Sequence, residues 1–273
     1  MIEQITPLIL TYNEAPNIGR TLEALRWARD IVVVDSFSQD QTLEIISRYR
    51  QARVFQRKFD GHDRQWNFGL KKTGIQSEWV LALDADFIVS AELAEEIAQL
   101  QPQDEVAGYR VGFVFYINGR RLRTTLCPPQ TVLYRRALAE YFQDGHTQKL
   151  VLTGRVEALS APILHDDRKP FHRWLQSQRR YAALEAEKIL STPFTSLDFA
   201  DRVRRLRIIA PLAMCFYCLI VRGAILEGRA GVLYSVQRMI AELILTLRLV
   251  EHDFGIKQHR KVLASESVEP TAD

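Results

Sequence analysis

Cysteine is too rare here to build a framework: three residues in 273, at Cys127, Cys215 and Cys218, exclude a disulfide-stapled fold. Cys215-Phe216-Tyr217-Cys218 sits inside an apolar run with no second ligand pair, which argues against zinc or redox chemistry. Glycine (13) and proline (10) are also sparse, and no internal repeat or low-complexity tract interrupts the chain, so fibrous and disordered classes drop out. The uncharged stretch at residues 208–221 has 14 residues and contains Pro211, short of the about 20 needed to span a bilayer. The N-terminus enters a strand pattern at once, without a basic segment, apolar segment and cleavage site, so the expected compartment is the reducing cytoplasm. Net charge is only +3. Its distribution is uneven: residues 168–260 hold 16 Lys or Arg against 8 Asp or Glu, a bias that suits anionic phosphate or lipid head groups as well as a solvated face.

What remains is an ordinary globular composition, 47% hydrophobic and 25% charged, long enough for one sizeable α/β domain with an appendage. Residues 5–10 read as a buried strand, 17–27 as a helix, and Ile31-Val32-Val33-Val34 as a second strand ending at Asp35. Asp40 reads as the cap of a helix carrying Leu43, Ile46 and Tyr49. Val54-Phe55 is a short third strand, residues 65–72 a helix, and Trp79 opens a fourth strand. Such alternation predicts a mostly parallel, doubly wound sheet. Residues 106–164 are mixed, and helical patterns return at 171–190 and 232–250. The expected divisions are a catalytic domain at 1–167, a helical basic and apolar extension at 168–260, and a polar tail at 261–273.

The most informative segment is Trp79-Val80-Leu81-Ala82-Leu83 running into Asp84-Ala85-Asp86. Two carboxylates spaced i, i+2 at a strand end can reach one hard cation with oxygen ligands. A polar turn after a buried strand explains the same residues, so the motif needs company. It has company in Thr11 and Asp35, which also fall at strand ends, where ligands bind on sheets of this type.

Together, Leu10-Thr11-Tyr12-Asn13-Glu14, Val33-Val34-Asp35-Ser36-Phe37-Ser38-Gln39-Asp40 and Leu83-Asp84-Ala85-Asp86 resemble family 2 glycosyltransferases, inverting enzymes of the GT-A fold. Phe59-Asp60-Gly61 with Gln65-Trp66-Asn67-Phe68, and the run at 223–234, are similar to bacterial lipopolysaccharide-core glucosyltransferases. The resemblance implies a Rossmann-like sheet flanked by helices, followed by a helical, membrane-associating extension. It places a nucleotide sugar, expected to be UDP-linked, against Thr11, Asn13, Glu14, Asp35 and Asp84; Arg64 is a further candidate, since its fork of donors suits a diphosphate, though a solvated helix-start arginine explains it as well. The resemblance implies Mg²⁺ or Mn²⁺ on Asp84 and Asp86, with His165 completing the metal or phosphate contacts. Neutralising the diphosphate leaving group is what such a reaction demands. No glycine-rich phosphate loop follows the first strand, which disfavours a sugar-nucleotide pyrophosphorylase.

An inverting transfer also needs a base for the acceptor hydroxyl. Relatives usually carry His-Glu in the relevant region; this chain has Asp144-Gly145-His146-Thr147, so Asp144 is the expected base and His146 the other candidate. Arg202, Arg204, Arg205 and Arg207 precede the apolar 208–221 stretch and Arg222 follows it. That suits a helix in the membrane interface, while a buried helical pair or an oligomer interface stays open. The expected partners are a nucleotide-sugar donor, a lipid-linked saccharide acceptor and a membrane surface at the inner face of the cytoplasmic membrane, without nucleic acid. Polyprenyl phosphate as acceptor, or a catalytically weak nucleotide-sugar-binding scaffold, are the alternatives.

Overall fold

A computed structural model describes residues 1–117, 119–144 and 147–255. The chain forms two compact units, Met1–Pro170 and Phe171–Asp273. The division falls three residues later than the sequence suggests, because residues 166–169 are tied by hydrogen bonds into the first unit. The polar tail expected at 261–273 lies outside the described residues.

In the first unit the strands are β1 (Ile5–Thr11), β2 (Ile31–Asp35), β3 (Ala52–Gln56), β4 (Trp79–Asp84), β5 (Phe87–Val89), β6 (Val106–Val111), β7 (Phe113–Ile117), β8 (Arg120–Leu122), β9 (Gln130–Arg135), β10 (Ala139–Asp144), β11 (Thr147–Leu152), β12 (Arg155–Ala158) and β13 (Ile163–His165). Helices α1 (Ile18–Glu23), α2 (Thr42–Ile46), α3 (His62–Lys72) and α4 (Ala91–Gln99) lie between them. The main sheet runs β12-β6-β9-β4-β1-β2-β3. Only β9 is antiparallel to its neighbours. This is the mostly parallel α/β sheet flanked by helices that the GT-A expectation describes.

Central strands read as continuous apolar runs because both faces are covered. Ile9, Val33, Leu81 and Leu83 pack on one side with Leu22 of α1 and Leu93 and Ile97 of α4. Leu8, Val32, Val34, Val80 and Ala82 pack on the other with Trp66 and Leu70 of α3. Gly69 lets α3 approach: a Cβ there would lie 2.7 Å from Leu8 Cδ1. The helix α1 ends four residues short of its apolar pattern, and 24–27 continue as turns. Two smaller sheets complete the unit, β5-β13-β7-β8 and the β10–β11 hairpin. The mixed region at 106–164 thus supplies three strands of the main sheet, a long-range pairing that local pattern does not carry.

The second unit holds α5 (Phe171–Ser191), α6 (Phe199–Arg204), α7 (Ile209–Phe216) and α8 (Gly228–Asp253). Ala182, Ala186 and Ile189 of α5 pack on Leu245 and Leu249 of α8. Buried charge is paired: the Arg204 guanidinium lies 2.8 Å from Asp201 and 2.8 Å from Glu242, and 3.5 Å from Glu185. Ala224–Asp253 is long and apolar enough to cross a membrane by length and composition, yet it carries Glu242 in this ion-pair network and its Leu245 and Leu249 in the core. The start of α8 precedes its expected position by four residues, and Gly231 in its first turn admits the Ala224 carbonyl, which a Cβ would strike.

Residues 208–221 are largely uncovered within this unit. Ile208, Leu212, Phe216 and Ile220, four residues apart, are all exposed, Leu212 at 64%, and Leu226 beyond them reaches 89%. Among these positions only Ala210, Pro211 and Cys218 are buried.

Candidate active site

Parallel strands bring the ends of β1, β2 and β4 to one edge: Thr11 is the register partner of Asp35, and Leu10 of Asp84. The strand order reverses between β1 and β4, the place where sheets of this type bind ligands beyond the carboxyl ends of their strands.

The β2 side is a closed hydrogen-bonded cradle. Asp35 is fully buried; its Oδ1 accepts from the Thr11 hydroxyl at 3.0 Å and from the Ser38 hydroxyl, and its Oδ2 from Ser38 N at 2.9 Å and Gln56 Nε2 at 3.3 Å. With these acceptor positions taken, Asp35 shapes the loop that follows β2. Asn13, at φ 54°, donates its N–H to the Ser38 hydroxyl and accepts from Gln39 N at 2.7 Å. The left-handed backbone that Asn tolerates lets the two loops interlock. Gln41 occupies the N-cap of α2, and Asp40, expected there, stands one position further out, accepting from Thr42 N at 3.0 Å.

The β4 side is charged. Asp84 ends its strand with solvent access, while Asp86 is buried. Enclosure by the surrounding protein and, second, the Asp86 charge raise the Asp84 pKa; contact with water tempers that shift. Burial alone would raise Asp86 as well, but the His165 and Lys169 charges outweigh it and hold this carboxyl well below the usual range. His165 Nε2 stands 3.5 Å from Asp86 Oδ2, with its ring against Phe115 and Phe87. Burial opposes the imidazolium, and Asp86 prevails, so its pKa is raised.

Lys169 is not among the residues to which the sequence points, yet it sits at the centre of this cluster. Its Nζ lies 2.6 Å from Glu14 Oε1, 3.6 Å from Asp167 Oδ2 and 3.7 Å from Asp86 Oδ2. Burial pushes Glu14 up to about 7 despite the pull of Lys169. The strap carrying Lys169 is pinned from α1: Arg20 reaches Asp166 at 2.6 Å, and Asn17 binds Asp167 and the Arg168 N–H, each at 2.9 Å. The only sequence signal was charge density in His165-Asp166-Asp167-Arg168-Lys169, which the expected boundary at 167 cut in two.

The remaining expected residues are spread around this edge. Arg64, in the first turn of α3, is exposed and weakly paired to Asp60 at 3.4 Å. Asp144 ends β10 and is exposed. The base of its hairpin is fixed by Tyr141, which stacks on Trp66 and exchanges hydrogen bonds with Asn67. His146 lies outside the described residues. Among the described residues no set of three His, Cys, Asp or Glu is arranged to enclose an ion. His165, expected as a third ligand, is engaged with Asp86. Two neighbouring carboxylates, one open to water, fit an ion that fills its shell with water and phosphate oxygens, as Mg²⁺ does.

Comparison with known proteins places the chain among glycosyltransferases. An uncharacterized glycosyltransferase of Rickettsia bellii is 33% identical over 115 residues, covering 41% of this chain and 38% of the relative. The match thus spans about two fifths of that relative's length. The lipopolysaccharide core biosynthesis glycosyltransferase LpsC of Rhizobium meliloti is 29% identical over 199 residues, 67% of this chain and 71% of LpsC. Among solved structures, S. aureus TarS 1–349 in complex with UDP-GlcNAc is similar at a TM-score of 0.49 and 18% identity, over 93% of each chain. The glycosyl transferase family 2 model matches residues 8–157. That segment contains the ends of β1, β2 and β4 with Thr11, Asp35, Asp84 and Asp86, and by this match over more than half its length the chain belongs to glycosyl transferase family 2.

Proposed function

We propose that this glycosyltransferase moves a hexose, with inversion, from a UDP-sugar to a lipid-linked or lipopolysaccharide-type saccharide of the cell envelope. The observation that carries the reading is the pairing of solvent-open Asp84 with buried Asp86 at the end of β4, beside the Thr11–Asp35 cradle. Asp84 and Asp86 would hold Mg²⁺ or Mn²⁺, which when bound supplies Lewis-acid stabilisation of the departing diphosphate. Thr11, Asn13 and Glu14 line the nucleotide side, with Asp35 positioning their loop. Arg64, exposed at the α3 start, offers its fork of donors to phosphate oxygens. Asp144 takes the acceptor hydroxyl proton, with His146 as the other candidate for that role.

UDP is the nucleotide that the family resemblance implies. The acceptor class is supported by the name of LpsC and by the second unit. There an exposed apolar ladder, Ile208, Leu212, Phe216 and Ile220, is bracketed by Arg202, Arg205 and Arg207 on one side and Arg222 on the other. This pattern suits a peripheral helix at an anionic bilayer surface, at the inner face of the cytoplasmic membrane. A thermal-shift screen of UDP-, GDP- and dTDP-sugars with Mn²⁺ tests the donor, since binding to the folded state raises its stability. A shift with UDP-sugars is expected; a response to GDP- or dTDP-sugars instead contradicts the UDP reading.

A further inference from the structure

We propose that Lys169 is the resident counter-cation of Asp86, that it competes with the divalent ion for this carboxylate, and that it thereby makes metal binding depend on the donor's diphosphate. The inference rests on the metal site proposed above. Asp86 is buried and faces the His165 imidazole at 3.5 Å and the Lys169 ammonium at 3.7 Å. Lys169 is itself enclosed, its side chain 18% exposed, and surrounded by Glu14, Asp86 and Asp167. An acidic group of this density within one site repels itself unless a positive charge sits among its members. In this structure the ammonium is that charge, and it does what a metal ion would otherwise do.

Lys169 is built for such an exchange. Its backbone is fixed, with its N–H bonded to Asp167 Oδ1 at 2.9 Å, and Asp167 in turn is held by Asn17. The ammonium hangs from a flexible four-carbon stem with three rotatable donors. It can leave Asp86 for a phosphate oxygen without moving the strap. Its shorter contact, 2.6 Å to Glu14, marks the side of the β1 loop, where the nucleotide is proposed to lie. A metal ion arriving alone meets an ammonium already on Asp86. A metal ion arriving with a diphosphate brings negative charge that gives Lys169 a new partner. Coupling of this kind is reciprocal, so metal also tightens nucleotide binding.

Mn²⁺ binding measured by electron paramagnetic resonance, with and without UDP, tests this without any turnover. In wild type, UDP is expected to tighten Mn²⁺ by at least about tenfold. In Lys169→Met, Mn²⁺ alone should bind at least about tenfold tighter than in wild type, with the UDP effect reduced. Lys169→Arg, which keeps the charge, should stay as weak as wild type. If Lys169→Met does not fold, Lys169→Gln, neutral yet able to donate to Glu14, carries the same expectation. Equal Mn²⁺ affinity in wild type and the neutral variant overturns the inference. Failure of every protein to bind Mn²⁺ even with UDP overturns the metal site itself.

Discussion

The Thr11 hydroxyl donates to Asp35 Oδ1 across 3.0 Å, joining register partners at the ends of adjacent parallel strands, 24 residues apart in sequence. This bond and the three others to the same carboxylate convert two strand ends into one rigid rim. The side of the site proposed to take the nucleotide is therefore organised by hydrogen bonds within the chain itself.

Asp35→Asn tests that organisation. The amide nitrogen would replace one acceptor oxygen and face the N–H of Ser38 or another donor, leaving buried donors opposed. The expected cost is about 1–3 kcal/mol of folding stability, read as a lower urea midpoint, with UDP affinity falling alongside. An unchanged midpoint would show that the four bonds contribute little.

Glu14 sets a pH dependence. Its carboxyl ionises near 4.5 when unfolded and at about 7 when folded, burial being the largest cause. Between these values the folded state holds a proton that the unfolded state has released, so stability falls as pH rises through the window. Relative to Glu14→Gln, wild type should lose about 1–3 kcal/mol between pH 4.5 and 7.5. Parallel stability curves for the two proteins would contradict this.

Phe37 adopts φ 62° and is 51% exposed. A bulky residue in the left-handed region is strained by about 1–2 kcal/mol. Phe37→Gly relieves that strain, at the cost of greater freedom in the unfolded chain. A net gain of about 0.5–1 kcal/mol is expected in denaturant unfolding; a loss would mean the ring packs for stability.

Leu212→Asp places a charge in the exposed ladder of the second unit, at a residue 64% exposed. Stability should hold within about 0.5 kcal/mol. Co-sedimentation with vesicles containing anionic lipid should fall several-fold. Undiminished sedimentation would remove the ladder from the membrane account.

Much of the site was legible because strand ends are marked locally. The apolar runs before Thr11, Asp35 and Asp84 give their own termini, and parallel order follows from the alternation with helices. The boundary residues were harder. Lys169 reaches Glu14 from 155 positions away, and nothing periodic announces an ion pair of that separation. The same limit explains β6, β9 and β12, whose membership of the main sheet is decided by partners distant in sequence. Asp35 shows the converse: its position was evident, but its four hydrogen bonds to neighbouring loops depend on Ser38 and Gln56 folding back. Exposure of the 208–221 stretch also needed the structure, since an uncharged run of that length suits burial equally well.

The central claim is that the Asp84–Asp86 pair holds a divalent ion against the diphosphate of a nucleotide sugar during transfer. The most direct test is turnover of UDP-sugars by wild type and Asp84→Asn, with Mn²⁺ and with the metal chelated. The account predicts Mn²⁺-dependent release of UDP by wild type, abolished by chelation and reduced at least about a hundredfold in Asp84→Asn. Turnover that persists undiminished under chelation, or in Asp84→Asn, would contradict it.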